Sequence, residues 1–269
     1  MIMARRIEFD PADVEFFGEI ASIGSPKFDK MMKGGIPRGF TILCIGEPGA
    51  GMDLFMKQFT SVAEDPANTV MVSTAESQNE ILQVFRRYEW PLDLKVRCLG
   101  EEYNEQVLEK DMEASRFRLE GFTMQDIQRL AQTRFVEEDS TDYLVAMASQ
   151  ITSLGPFFRC AVDNLDFFFQ RNEARRVISL IRVMQAHTQL NRGVLLLSAS
   201  SGSIPESVQR ELSLICDIVF DFEVKMIANN FETRMVVRKF RNAPENLRVY
   251  TYRVTSEEGI TPETVDRVA

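Results

Sequence analysis

Histidine and tryptophan are almost missing: the 269 residues hold one of each, His187 and Trp90. With one histidine and no C-x-x-C pair, no zinc site is expected. The four cysteines, Cys44, Cys98, Cys160 and Cys216, stand far apart in apolar surroundings, so buried, reduced thiols in a cytoplasmic protein are expected. No apolar run approaches the roughly 18 residues a membrane span requires. The N-terminal "MIMARRIEFD" has no apolar core of a secretion signal. Positive charge is also short, with 31 Lys and Arg against 40 Asp and Glu and a net charge of -9. Chains that live on nucleic acid usually carry a basic face, so direct DNA binding is not expected, although Arg234 to Arg248 is locally basic.

What remains is an ordinary globular composition, 45% hydrophobic and 26% charged, with neither repeats nor a low-complexity linker. One domain over residues 1–269 is expected. Short apolar runs alternate with amphipathic stretches. "FTILCIG" reads as a buried strand and "MDLFMKQFTSVAE" as the helix after it. "TVMVSTAES", "DLKVRCLG", "FFRCAVD" and "GVLLLSAS" read as further strands. "QNEILQVFRRYEW", "DYLVAMASQITSL", Glu173–Leu190 and "IPESVQRELSLI" read as helices between them. Ser140 or Thr141 is expected to cap the second of these helices, and Asn191-Arg192-Gly193 to close the third. From "DIVFDFEV" onward the period changes to two, through "TRMVVRKF" and "RVYTYRV". The fold class is therefore α/β: a mostly parallel sheet flanked by helices, with antiparallel strands added at the C-terminus. Residues 101–139 are charged and fit no motif; helices are expected at 106–118 and 124–133.

One stretch raises the question of chemistry. Gly46, Glu47, Pro48, Gly49, Ala50, Gly51, Met52 and Asp53 have the spacing of a phosphate loop, G-x-x-x-x-G-K-[ST]. In such a loop glycines let backbone N–H groups cradle phosphate at a helix N-terminus, lysine adds charge, and the hydroxyl binds magnesium. Here Met52 stands for the lysine and Asp53 for the hydroxyl. Losing one charge-assisted hydrogen bond worth roughly 1.5–3 kcal/mol weakens binding by about one to two orders of magnitude. A carboxylate about 4 Å from a phosphate oxygen costs on the order of 4 kcal/mol at an effective dielectric near 20. Asp53 either holds magnesium directly or, the favoured expectation, satisfies the free N–H groups of its own helix. Lys57, five residues after Met52, points about 140° away on the helix and is not expected to replace the missing lysine.

Upstream, "GSPKFDKMMKGGIPRGFTILCIGEPGAG" resembles the opening of the KaiC-like branch of the RecA superfamily. Phe28-Asp29 is similar to that branch's Leu-Asp pair, and Gly34-Gly35-Ile36-Pro37-Arg38-Gly39 to its Gly-Gly-Ile-Pro-x-Gly turn. Archaeal single-domain members are the most similar, including the archaellum motor-associated subunit and recombinase paralogues. The resemblance implies a RecA-like P-loop NTPase fold. It implies that Glu76 occupies one catalytic acidic position, with Ala75 in its neighbour's place. Asp163, at the end of a Walker B-like strand, would be a magnesium residue beside Asp53. Lys239 and Arg241, in a Lys-x-Arg element, would reach a neighbouring subunit's ATP. The expectation is a pseudo-ATPase acting as a regulatory or structural partner, in a homo-oligomer or a mixed ring with an active relative. ATP and magnesium would bind weakly if at all. Alternatives are a non-hydrolysing ATP sensor and a recombination mediator that binds a recombinase or DNA. Phe167-Phe168-Phe169 is read either as an interface patch or as core under the next helix.

Overall fold

The structure is a computed structural model that describes residues 20–62, 66–119, 123, 141–227 and 230–263. The helix expected at 124–133 lies outside these residues. β3 (Thr41–Gly46), β4 (Thr69–Ser73), β6 (Arg159–Asp163) and β7 (Val194–Ser200) are built from the apolar runs. Such runs form strands buried on both faces. With β5 (Lys95–Cys98), β8 (Ile218–Ile227), β9 (Asn230–Phe240), β10 (Val249–Thr255) and β11 (Gly259–Pro262) they make one nine-stranded sheet. Its order is β11-β10-β9-β8-β3-β7-β6-β4-β5. Pairing is parallel from β8 through β5, and antiparallel from β8 outward to β11. The expected RecA-like architecture is therefore present. β1 (Ile20–Ala21) and β2 (Ile36–Pro37) form a separate two-stranded pair.

Alternation along each strand sends side chains to two cores. Leu43, Ile45, Leu195 and Leu197 face one layer, which holds α5 (Tyr143–Thr152), α7 (Ala174–Leu190) and α8 (Glu206–Ile215). Ile42, Cys44 and Leu196 face the other, which holds α1 (Pro26–Met31) and α2 (Met52–Ser61). α3 (Gln78–Arg87) closes a smaller cluster around Phe85 and Met71. All four thiols are buried and unpaired with one another.

Two local expectations need correcting, and one left open is decided. α5 is capped by Asp142, whose carboxylate accepts from the Val145 N–H at 3.1 Å, rather than by Ser140 or Thr141. The single helix α4 (Leu99–Leu119) starts directly after β5, well before 106. The Phe167-Phe168-Phe169 run is not a surface patch: it forms a short helix, α6 (Asp166–Arg171), with Phe167 and Phe168 buried. As expected, α7 closes at Asn191-Arg192-Gly193, with Asn191 as its C-cap and Arg192 (φ 52) in the left-handed region. Gly193 is needed for space: a Cβ there would lie 2.3 Å from the Phe158 ring.

Candidate functional site

β3, β4, β6 and β7 all end at one edge of the sheet, where open α/β sheets place their ligands. Ser73 stands beside Asp163, and Gly46 lies between Ser200 and Phe222. The glycine bend leaves that edge and enters α2. Gly49 (φ 82) and Gly51 (φ 75) take left-handed backbone, which glycine adopts without steric cost. A Cβ at Gly49 would meet nothing within 4 Å, so the bend is open on that side.

The bend is tied to the antiparallel extension. The Glu47 N–H donates to Phe222 O at 2.9 Å, and the Glu47 carboxylate accepts from the Val224 N–H at 2.9 Å. The Tyr252 hydroxyl donates to Ala50 O. Pro48 carries no N–H and leaves the turn's donors to its neighbours.

Met52 opens α2 and folds over the first glycine: its Sδ lies 2.7 Å from where a Gly46 Cβ would stand. The thioether is part of the apolar core behind the bend and brings no charge to it. Asp53, next on the helix, does not turn back onto the helix N–H groups as expected. Its carboxylate is 63% exposed, and its charged partner among the described residues is Lys57 Nζ, 3.8 Å away.

Lys57 is the residue the sequence reading undervalued. It is 1% exposed, and its Nζ lies 2.6 Å from Glu76 Oε2. The contact is ionic rather than a directed hydrogen bond, because no donor is aligned on that buried oxygen. The 140° offset from Met52 is real, but it turns Lys57 toward the ends of β4 and β6. A buried lysine is rare unless paired.

Asp163 is buried and accepts from the Ser198 hydroxyl at 2.7 Å. Burial pushes its pKa above the usual carboxylate range. The Ser198 hydroxyl and Lys57 act against that shift, while Glu76 and Asp53 add to it. Glu76 sits three residues past β4, held by the Ser73 hydroxyl, which receives the Glu76 N–H at 2.9 Å. Ser77 then caps α3 in a capping box with Glu80.

Two acids, Asp53 and Glu76, thus pair with one buried cation, and Asp163 lies near enough to feel its charge. Among the described residues no group of three or more His, Cys, Asp or Glu could hold a metal. A magnesium ion on Asp53 and Asp163 would depend on water and phosphate for its other ligands. The open bend at Gly49 fits a phosphate in shape. The charges do not fit: Met52 is neutral, Lys57 is engaged by Glu76, and Asp53 stands exposed at the helix start.

Lys239 and Arg241 lie elsewhere. Lys239 pairs with Val219 at the start of β8, the opposite edge of the sheet from the bend. Its Nζ donates to the carbonyls of Ser213, Leu214 and Cys216 at the end of α8. Arg241 is bound to the buried Asp217 at 2.8 Å. Both therefore have partners within the chain.

A profile described as the KaiC ATPase matches residues 21–262. The chain belongs to the KaiC family. Among solved structures, this KaiC-family chain is similar to the flagellar accessory protein FlaH from Methanocaldococcus jannaschii, at 15% identity and a TM-score of 0.66. It is also similar to the KaiC-like protein PH0186 from Pyrococcus horikoshii, at 16% identity and a TM-score of 0.60. Each likeness covers 91% of this chain and 99% of the other. At these identities they speak for the fold. No curated protein matches the chain. Among the described residues no helix is long and apolar enough to cross a membrane.

Proposed function

We propose that this KaiC-family protein is a pseudo-ATPase, a scaffold whose own site does not turn over ATP. The observation that carries the reading is the closed Lys57–Glu76 pair at 2.6 Å. A carboxylate that activates water must be free to reach it, and Glu76 is instead held against the Lys57 ammonium. With Lys57 engaged by Glu76 and Asp53, and Met52 neutral, neither residue of the bend's helix offers a free cation to a triphosphate. The protein then acts as a regulatory or structural partner in an oligomer. For Lys239 and Arg241 to reach a neighbour, each would have to leave its partner within the chain.

A second reading, a non-hydrolysing ATP sensor, draws on the open left-handed backbone at Gly49. Calorimetric titration with ATP and magnesium separates the two. The scaffold predicts no binding at about 1 mM ATP, whereas micromolar affinity identifies the sensor. Steady phosphate release from the purified protein, abolished by Glu76→Gln, would overturn both. Met52→Lys combined with Asp53→Thr is expected to recover ATP binding, because it removes one negative charge and adds one positive charge at an intact bend.

A further inference from the structure

On the outer flank of the sheet, α1 and the last two strands enclose a cleft of about 760 Å³. That volume is in the range of small-molecule sites. Three cations line it in a protein of net charge -9: Lys27, Lys30 and Arg253. Lys27 is bound to Glu258 at 2.6 Å. Lys30 and Arg253 are exposed, and neither makes an ion pair among the described residues. Met31 and the buried Pro262 supply an apolar wall, and among the described residues Glu263 is the one acid in the lining.

The walls are preformed. Gln58, inside α2, clamps them from behind: its amide donates to Gly24 O before α1 and to Glu258 O and Ile260 O at β11. Its carbonyl oxygen accepts from the Ile260 N–H at 2.8 Å. Phe28 wedges α1 onto Tyr250 and Tyr252 of β10. Clefts lined by charge of one sign concentrate counter-ions.

We propose that this cleft binds a small phosphorylated ligand, with Lys30 and Arg253 as its anion contacts and Met31 and Pro262 as its apolar wall. Arginine presents a planar fork suited to phosphate and lysine a point charge. The site is separate from the glycine bend and does not depend on how that bend behaves.

The test is calorimetric titration of the full chain at low salt with pyrophosphate and, separately, with AMP. Saturable binding of either probe is expected, lost by about tenfold or more in Lys30→Ala/Arg253→Ala and unchanged in Asp53→Ala. Tighter pyrophosphate, the more highly charged probe, means that charge alone is read, and equal affinity that the apolar wall offsets the lower charge of AMP. Tighter AMP means that the apolar wall takes the base. Lys30→Arg/Arg253→Lys, which keeps both charges, is expected to retain binding and guards against a folding artefact. Unchanged affinity in the double alanine variant, or no binding of either probe at about 1 mM, overturns the proposal.

Discussion

Met52, Lys57 and Asp163 decide what the glycine bend can do. Breaking a buried ion pair by removing one partner leaves an uncompensated charge and commonly costs about 3–5 kcal/mol. Glu76 is 31% exposed, so the loss should be smaller. Lys57→Met is expected to lower unfolding stability by about 1–3 kcal/mol in urea, and Glu76→Gln in the same chain to restore part of it. An additive double variant would mean that the pair carries no coupling. For Asp163 the sign runs the other way from most acids. Its folded pKa is raised by burial, so the folded state binds the proton more tightly than the unfolded one. Its contribution is therefore greatest below the ordinary value of about 4 and is lost as pH rises through the raised folded value. Asp163→Asn should remove that decline and leave the protein more stable at neutral pH, as read by denaturant midpoints across pH. The sequence disclosed this site only partly. The bend is legible because glycine spacing marks it, and Glu76 and Asp163 because the stretches that carry them resemble the KaiC-like branch. Lys57 is not, because helical angle says which way a side chain starts out but not what a neighbouring strand brings to meet it.

At the level of elements, runs such as Val194–Ser200 announce strands buried on both faces, and the change of period announces the antiparallel tail. What stayed hidden were short pieces whose stability is tertiary. α1, α6 and β11 have at most six residues each, too few for periodicity to register. α8 illustrates how such ends are held. Its final carbonyls receive three hydrogen bonds from Lys239, a cation at the negative end of the helix dipole. Lys239→Met should therefore cost about 1–2 kcal/mol in thermal or urea unfolding of the isolated protein. A variant as stable as the parent would release Lys239 from this structural duty and favour an intermolecular one.

Across the whole molecule, two layers share one sheet, and the parallel half is continuous with the antiparallel half through β8. The glycine bend grips both halves: Ser201 N–H donates to Gly46 O on one side, and Phe222, Val224 and Tyr252 hold Glu47 and Ala50 on the other. A loop fastened in this way cannot open as a private event. Its amides should exchange with deuterium no faster than the outer strands fray, so protection at residues 47–51 and along β10 should fall together on warming. Tyr252→Phe cuts one fastening, and the expected result is faster exchange at 50–52 while β3 and β7 keep their rates. If so, the surest way to disturb this bend is from the far rim of the sheet, by loosening strands that lie outside the bend itself.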